Sequence, residues 1–209
     1  MTGLRSVPRW RLLAVALAVA AVAVAIGVAI GRGIGGNVSS GARLLTTRPA
    51  PPGGAAAGDF VEVHDAPTGV TIGLPPTWHR LPASDPSVRL VATGGVFGSL
   101  LLRSVHLPAK LGRPEAGAAQ QELTRRLVTS NRAVRVLEGP KPIELGGLRG
   151  WFYFYTFKDA GGLVGAHSHY FLFKGGTLIT LVLQALPATR FAGLSSTFDR
   201  ISSTFRGTS

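Results

Sequence analysis

At 209 residues, with no cysteine and a formal charge of +12, the chain has room for one ordinary domain beside a membrane segment, and it excludes chemistry that needs a thiol. Disulfides, thiolate metal sites, a cysteine nucleophile and a lipid-modified cysteine are ruled out. Residues 1–58 hold six arginines and no acid, and residues 59–209 hold sixteen basic against ten acidic residues, so the charge is not the concentrated footprint of a nucleic-acid-binding face.

Residues 1–11 form a basic tail, with Arg5, Arg9 and Arg11 ahead of an apolar run and Trp10 at an interfacial position. Leu12 to Gly31 follows, twenty residues without a charge or a hydrogen-bonding side chain. As a helix it is about 30 Å long, the thickness of a bilayer's hydrocarbon core, and a lone crossing segment must be helical to pair its own backbone. Residues 12–31 therefore read as a transmembrane helix. Ala23-Val24-Ala25 also fits a signal-peptidase pattern, which gives a secreted protein cleaved near Ala25 as the alternative. The apolar run continues to Gly31, beyond the roughly 7–15 residues of a signal's apolar region, and this favours a retained anchor. Arg9 and Arg11 abut the helix and place the N-terminus in the cytoplasm. Gly27 and Gly31 stand four apart, the small-residue spacing of self-associating membrane helices, although eight alanines in the run make such spacing easy to meet by composition.

Residues 32–58 are rich in Gly, Pro, Ala and Ser and have too little apolar surface to repay ordering. As a coil they reach about 30 Å. Residues 59–209 are the folded, extracytoplasmic domain. Phe60–Val63, Val70–Leu74, Val88–Ala92 and Ser99–Leu107 read as strands, with Trp78 after Pro75-Pro76 capping the core. Pro114 opens a helix whose apolar face includes Ala119, Leu123 and Leu127. Arg132–Leu137 reads as a strand, Glu138-Gly139-Pro140-Lys141 as a turn, and Pro142–Leu145 as a strand pairing back. Trp151–Phe157, aromatic except at Thr156, reads as a strand covered on both faces. His169–Lys174 and Thr177–Ala185 form a hairpin across Gly175-Gly176. Phe191, Leu194, Phe198, Ile201 and Phe205 recur at helical spacing and mark a final amphipathic helix. The sum is an α+β domain, an antiparallel sheet of about eight strands flanked by helices.

Two stretches carry a family resemblance. One is Gly69-Val70-Thr71-Ile72-Gly73-Leu74-Pro75-Pro76-Thr77-Trp78, a strand ending in Pro-x-x-Trp. The other is Leu178-Ile179-Thr180-Leu181-Val182-Leu183 followed by the helix ending Ser203-Thr204-Phe205-Arg206. With a helix between them, residues 60–206 resemble the PsbP-like superfamily, which includes an extrinsic photosystem protein, a Ran-binding nuclear import factor and LpqN-type actinobacterial lipoproteins. The resemblance implies an α/β/α sandwich and a non-enzymatic accessory or binding role, and it brings no catalytic residues. The chain departs from the lipoproteins in lacking a cysteine, so the membrane helix would take the anchor's place. The Arg-over-Lys and Ala/Gly/Pro bias suggests a GC-rich bacterial genome.

The constellations that could carry chemistry are few. His167 and His169 share one strand face and are weak candidates for a metal site if a third ligand among His64, Asp65, His79 and His106 comes close. The alternative is two polar residues at a loop edge. No serine lies in a Gly-x-Ser-x-Gly elbow, and the glycine-rich pieces lack the Lys-Ser/Thr of a phosphate loop. Arg125, Arg126, Arg132 and Arg135 cluster around the end of the middle helix and offer a face to a protein partner, anionic lipid or wall polymer, or else a solvated helix end. No cofactor and no nucleic acid are expected. The reading is a single-pass, membrane-anchored binding module that assists a membrane or cell-envelope complex and is not an enzyme. The alternative is a carrier of a lipid or other apolar ligand, held between sheet and helix along Trp151–Phe157.

Overall fold

The structure, a computed structural model, describes residues 60–207. The basic tail, residues 12–31 with Gly27 and Gly31, and the linker lie outside the described residues. Among the described residues no helix is long and apolar enough to cross a membrane.

Seven strands make one antiparallel sheet: β3 (His79–Leu81), β4 (Val88–Gly94), β5 (Gly98–His106), β6 (Arg135–Leu145), β7 (Leu148–Lys158), β8 (Val164–Lys174) and β9 (Thr177–Ala185), in the order β3-β4-β5-β9-β8-β7-β6. β1 (Val61–Asp65), β2 (Val70–Leu74) and a two-residue β10 (Arg206–Gly207) form a small second sheet, with β2 in the middle. Helix α1 (Gly117–Thr129) packs on one face of the large sheet, and α2 (Phe191–Thr204) with the small sheet packs on the other. This is the expected α/β/α sandwich.

The central strands explain the layering. β5 and β9 are flanked on both sides and on both faces, so they read as near-continuous apolar runs rather than alternating ones. Leu100, Leu102, Leu172, Ile179, Leu181 and Leu183 meet Phe198, Ile201 and Phe205 in the α2 layer. Tyr153, Tyr155, Phe171 and Leu178 meet Leu123, Leu127 and Val128 in the α1 layer. Trp78 caps the α2 layer as expected. It stands edge-on to Phe198 at 6.4 Å, and its indole occupies the space a Cβ on residue 94 would need, which requires Gly94. Thr204 pins the small sheet to α2: its hydroxyl oxygen accepts from the amide of Gly73 at 2.7 Å while its proton goes to the Ile201 carbonyl.

The strand boundaries differ from expectation in three places. Glu138-Gly139-Pro140-Lys141 is not a turn. Both halves of β6 pair with the same neighbour, β7, and the extra residues are absorbed as bulges between Val136 and Lys141. Gly139 has φ +110°, a left-handed value open to glycine, and Pro140 and Pro142 are tolerated because β6 is an edge strand. β8 begins at Val164, five residues before His169, because Asp159 closes the preceding turn: its carboxylate accepts the amides of Gly161 and Leu163 at 2.9 and 2.7 Å. The short strands β3 and β10 have no period of their own to betray them.

A buried hydrogen-bond relay as candidate functional site

Strand alternation puts Tyr155, His167, His169 and Gln184 on the α1 side of the large sheet. The registers are Tyr155 opposite His167, and His167 opposite Gln184. His167 and His169 are therefore mid-strand and buried, not at a loop edge.

Their contacts form a single chain. With the amide oxygen of Gln184 facing Nε2 of His167 at 2.7 Å, that nitrogen donates. Nδ1 of His167 then accepts the Tyr155 hydroxyl proton at 3.0 Å. The same hydroxyl oxygen accepts from Nδ1 of His169 at 2.9 Å. The chain stops at Nε2 of His169, which is buried and has no hydrogen-bond partner. Rings fix the geometry around it: His169 stacks on Phe171 at 3.9 Å between centroids, and Phe157 lies against His167 at 4.3 Å.

Burial sets the electrostatics. It pushes His167 down to about 4 against the opposing hydrogen bond to Gln184, and it holds His169 well below the ordinary imidazole range, helped by the neighbouring His167. It also pushes the Tyr155 phenol upward. Both imidazoles are neutral at pH 7, and the relay is a fixed polar network inside an apolar layer.

The remaining sequence candidates are dispersed. Both nitrogens of His167 are committed, and among the described residues no group of three His, Cys, Asp or Glu side chains is gathered for a metal. The hoped-for third ligands lie elsewhere: His64 and Asp65 on β1, His79 on β3, and His106 at the far end of β5. Arg125 and Arg126 both bind Glu122, at 2.8 and 2.6 Å, and these hydrogen bonds pull that carboxyl down to about 2. Arg135 pairs opposite Thr156, which shares the parity of Phe154, and Phe154 packs against Phe191 of α2. Arg135 therefore sits on the sheet face opposite α1, and the arginines that cluster in sequence are divided in space. Arg132 is exposed between α1 and β6. The aromatic strand is likewise committed, with Phe152 on Tyr170 at 5.1 Å and Tyr153 edge-on to Phe171 at 5.6 Å.

One buried charge was not anticipated. Arg103 is 3% exposed, its Nε donates to the Ser87 hydroxyl at 2.7 Å, and its Nη2 reaches Asp85 at 3.3 Å. Nothing in the pattern of β5 announces it, because its partners come from the loop between β3 and β4.

No family model and no curated protein matches the sequence. Solved structures do. The cyanobacterial PsbP protein (CyanoP) of Synechocystis superposes with a TM-score of 0.51 at 17% identity, over 76% of this chain and 98% of that one. The fold is PsbP-like. Two further solved structures that match are LpqN of Mycobacterium tuberculosis, described as involved in cell envelope biogenesis (TM-score 0.47, 14% identity, 71% of this chain and 90% of that one), and the Ran-binding protein Mog1p of Saccharomyces cerevisiae (0.45, 11%, 71% and 95%).

Proposed function

We propose that this chain is a membrane-tethered accessory module: a PsbP-like domain held outside the cytoplasm by residues 12–31, binding a protein of a membrane or envelope complex and performing no catalysis. The observation that carries this reading is the uncharged twenty-residue run joined by a Pro/Gly/Ala tether to a self-contained sandwich domain. The non-catalytic part is supported by the relay, where both imidazoles are buried and neutral and both nitrogens of His167 are occupied by the chain's own groups. The exposed cations Arg125, Arg126 and Arg132 offer a partner-facing region on the α1 side. The test uses three separate samples: alkaline carbonate extraction of membranes, protease treatment of intact cells, and crosslinking of the full chain in its untreated native membrane. The expected result is retention in the membrane, cleavage from outside, and a defined protein adduct that is lost when Arg125, Arg126 and Arg132 become Glu. Release by carbonate, or an adduct indifferent to charge reversal, overturns the reading.

A second reading, a carrier of an apolar ligand, is favoured by Nε2 of His169, a buried acceptor that a ligand's hydroxyl or acid group would satisfy. Native mass spectrometry of the purified chain tests it: a co-purifying lipid displaced in His169→Phe supports the carrier.

A further inference from the structure

We infer that one end of the large sheet rests on the lipid surface of the membrane, with the β4–β5 and β7–β8 hairpin tips in the headgroup region. The inference builds on the anchored reading above. Four large apolar side chains are exposed at these tips: Val96 and Phe97 on one, Leu163 and Val164 on the other, between 37% and 49% exposed. The registers put both tips at the same end. Gly98 pairs with Ala185, and Ala185 pairs with Ala166. The amide of Leu186 donates to the Phe97 carbonyl at 2.9 Å, and Val164 pairs with Lys158. Only β9 separates β5 from β8, so the facing strands of the two hairpins stand about 10 Å apart and the tip centres about 14 Å apart, three strand spacings.

Charge selects the occupant. Arg190 lies over the Phe97 ring at 4.4 Å, and Lys158 is exposed beside Val164, so each apolar tip carries a cation. The nearby carboxylate of Asp159 is held inside its own turn by two amides. Apolar side chains with a Lys or Arg beside them, and the nearby carboxylate turned into its own loop, match an anionic lipid interface. Two separate small protrusions fit a fluid surface, which needs no matching relief.

The path of the chain gives the third argument. Val61 pairs with Leu74, so β1 begins at the Leu74 end of the small sheet. Leu74 leads to Trp78, which packs against Gly94 and Gly98 at the base of the β4–β5 tip. Phe60 itself lies against Gly73 and beneath Arg200, part-way along α2, so the tether joins the domain on the side of the small sheet nearer the tips. Its reach of about 30 Å lets the tip end meet the surface without stretching.

The chain has no cysteine, so a single introduced cysteine carries a unique fluorophore. Val96→Cys and Leu163→Cys report the two tips. His106→Cys, exposed at the other end of β5 and about 27 Å from Gly98 at the usual rise, is the distal control. Ala20→Cys reports the anchor. Each full-length variant is reconstituted in vesicles of phosphatidylcholine and phosphatidylglycerol, with nitroxide lipid or aqueous iodide as quencher. The expected result is loss of most emission to nitroxide lipid at Val96 and Leu163 but not at His106, with the loss at the tips reduced several-fold in Lys158→Glu/Arg190→Glu. Quenching at Ala20 without quenching at the tips overturns the docking and leaves the anchor standing. No quenching at any of the three positions overturns both. Tips shielded from iodide yet untouched by lipid quencher point to a protein partner or a second copy and overturn the inference.

Discussion

The two faces of the large sheet are built from the same strands yet solve different problems. Toward α2 the buried side chains are mainly aliphatic or aromatic, and the chain's own helix seals them. Toward α1 the layer admits Ser99, Arg103, Thr180, Gln184, His167 and His169, each less than a tenth exposed. An apolar face is specified by volume alone, whereas a polar one holds together only if each group finds a partner. The α2 face should therefore respond to lost volume, and the α1 face to lost hydrogen bonds and to pH.

The largest effect is expected on the α2 face. Phe198→Ala removes a ring 2% exposed that touches Trp78 and Phe191, and should cost about 3–5 kcal/mol in urea unfolding of the full chain in detergent micelles. If Phe198→Leu costs as much, volume is not what this face responds to. On the α1 face, Tyr155→Phe changes little volume but strips both imidazoles of their shared partner, and should cost about 1–3 kcal/mol. A neutral result would show the relay to be dispensable.

Acid separates the faces more cleanly. His167 binds a proton in the unfolded chain near pH 6.5 but in the folded chain only near 4, so the unfolded state holds more protons in between. Its contribution is complete above about pH 6.5 and is lost as pH falls toward 4. By pH 5 it has removed about 2 kcal/mol, and His169 adds a loss of the same sign. Urea midpoints at pH 7.5 and pH 5 should show the drop in the wild-type chain and in His64→Gln, and a smaller drop in His167→Gln. Equal drops in all three would assign the acid sensitivity elsewhere.

Smaller still, Thr204→Val keeps the shape but drops the bond to Gly73, a loss of about 1 kcal/mol in the same assay. Smallest is Glu122→Gln, which frees two exposed arginines and should leave the urea midpoint unmoved while raising their reactivity toward a dicarbonyl reagent.

Part of this contrast was legible in the residues. The Gly175-Gly176 turn fixes the β8–β9 register by counting outward, and the count that pairs Lys174 with Thr177 also puts Gln184 opposite His167. The period of Phe191, Phe198, Ile201 and Phe205 likewise points α2 at the sheet. Tyr155 could not be placed, because β7 and β8 are joined by a longer loop that does not dictate register. Arg135 misleads for a related reason: neighbours in sequence on a helix end and a strand start need not share a face. The β6 bulge reads as a turn in sequence because Gly-Pro marks both, and only pairing with β7 decides between them.

That bulged strand has a consequence for recognition. β6 closes one margin of the large sheet with two prolines and an interrupted ladder, and β3 closes the other with three residues. Neither margin offers a long row of free amides and carbonyls, so an extended peptide cannot be annexed as an eighth strand. Whatever docks along the margins of the large sheet must read side chains, and copies crowded together cannot zip through those two edges.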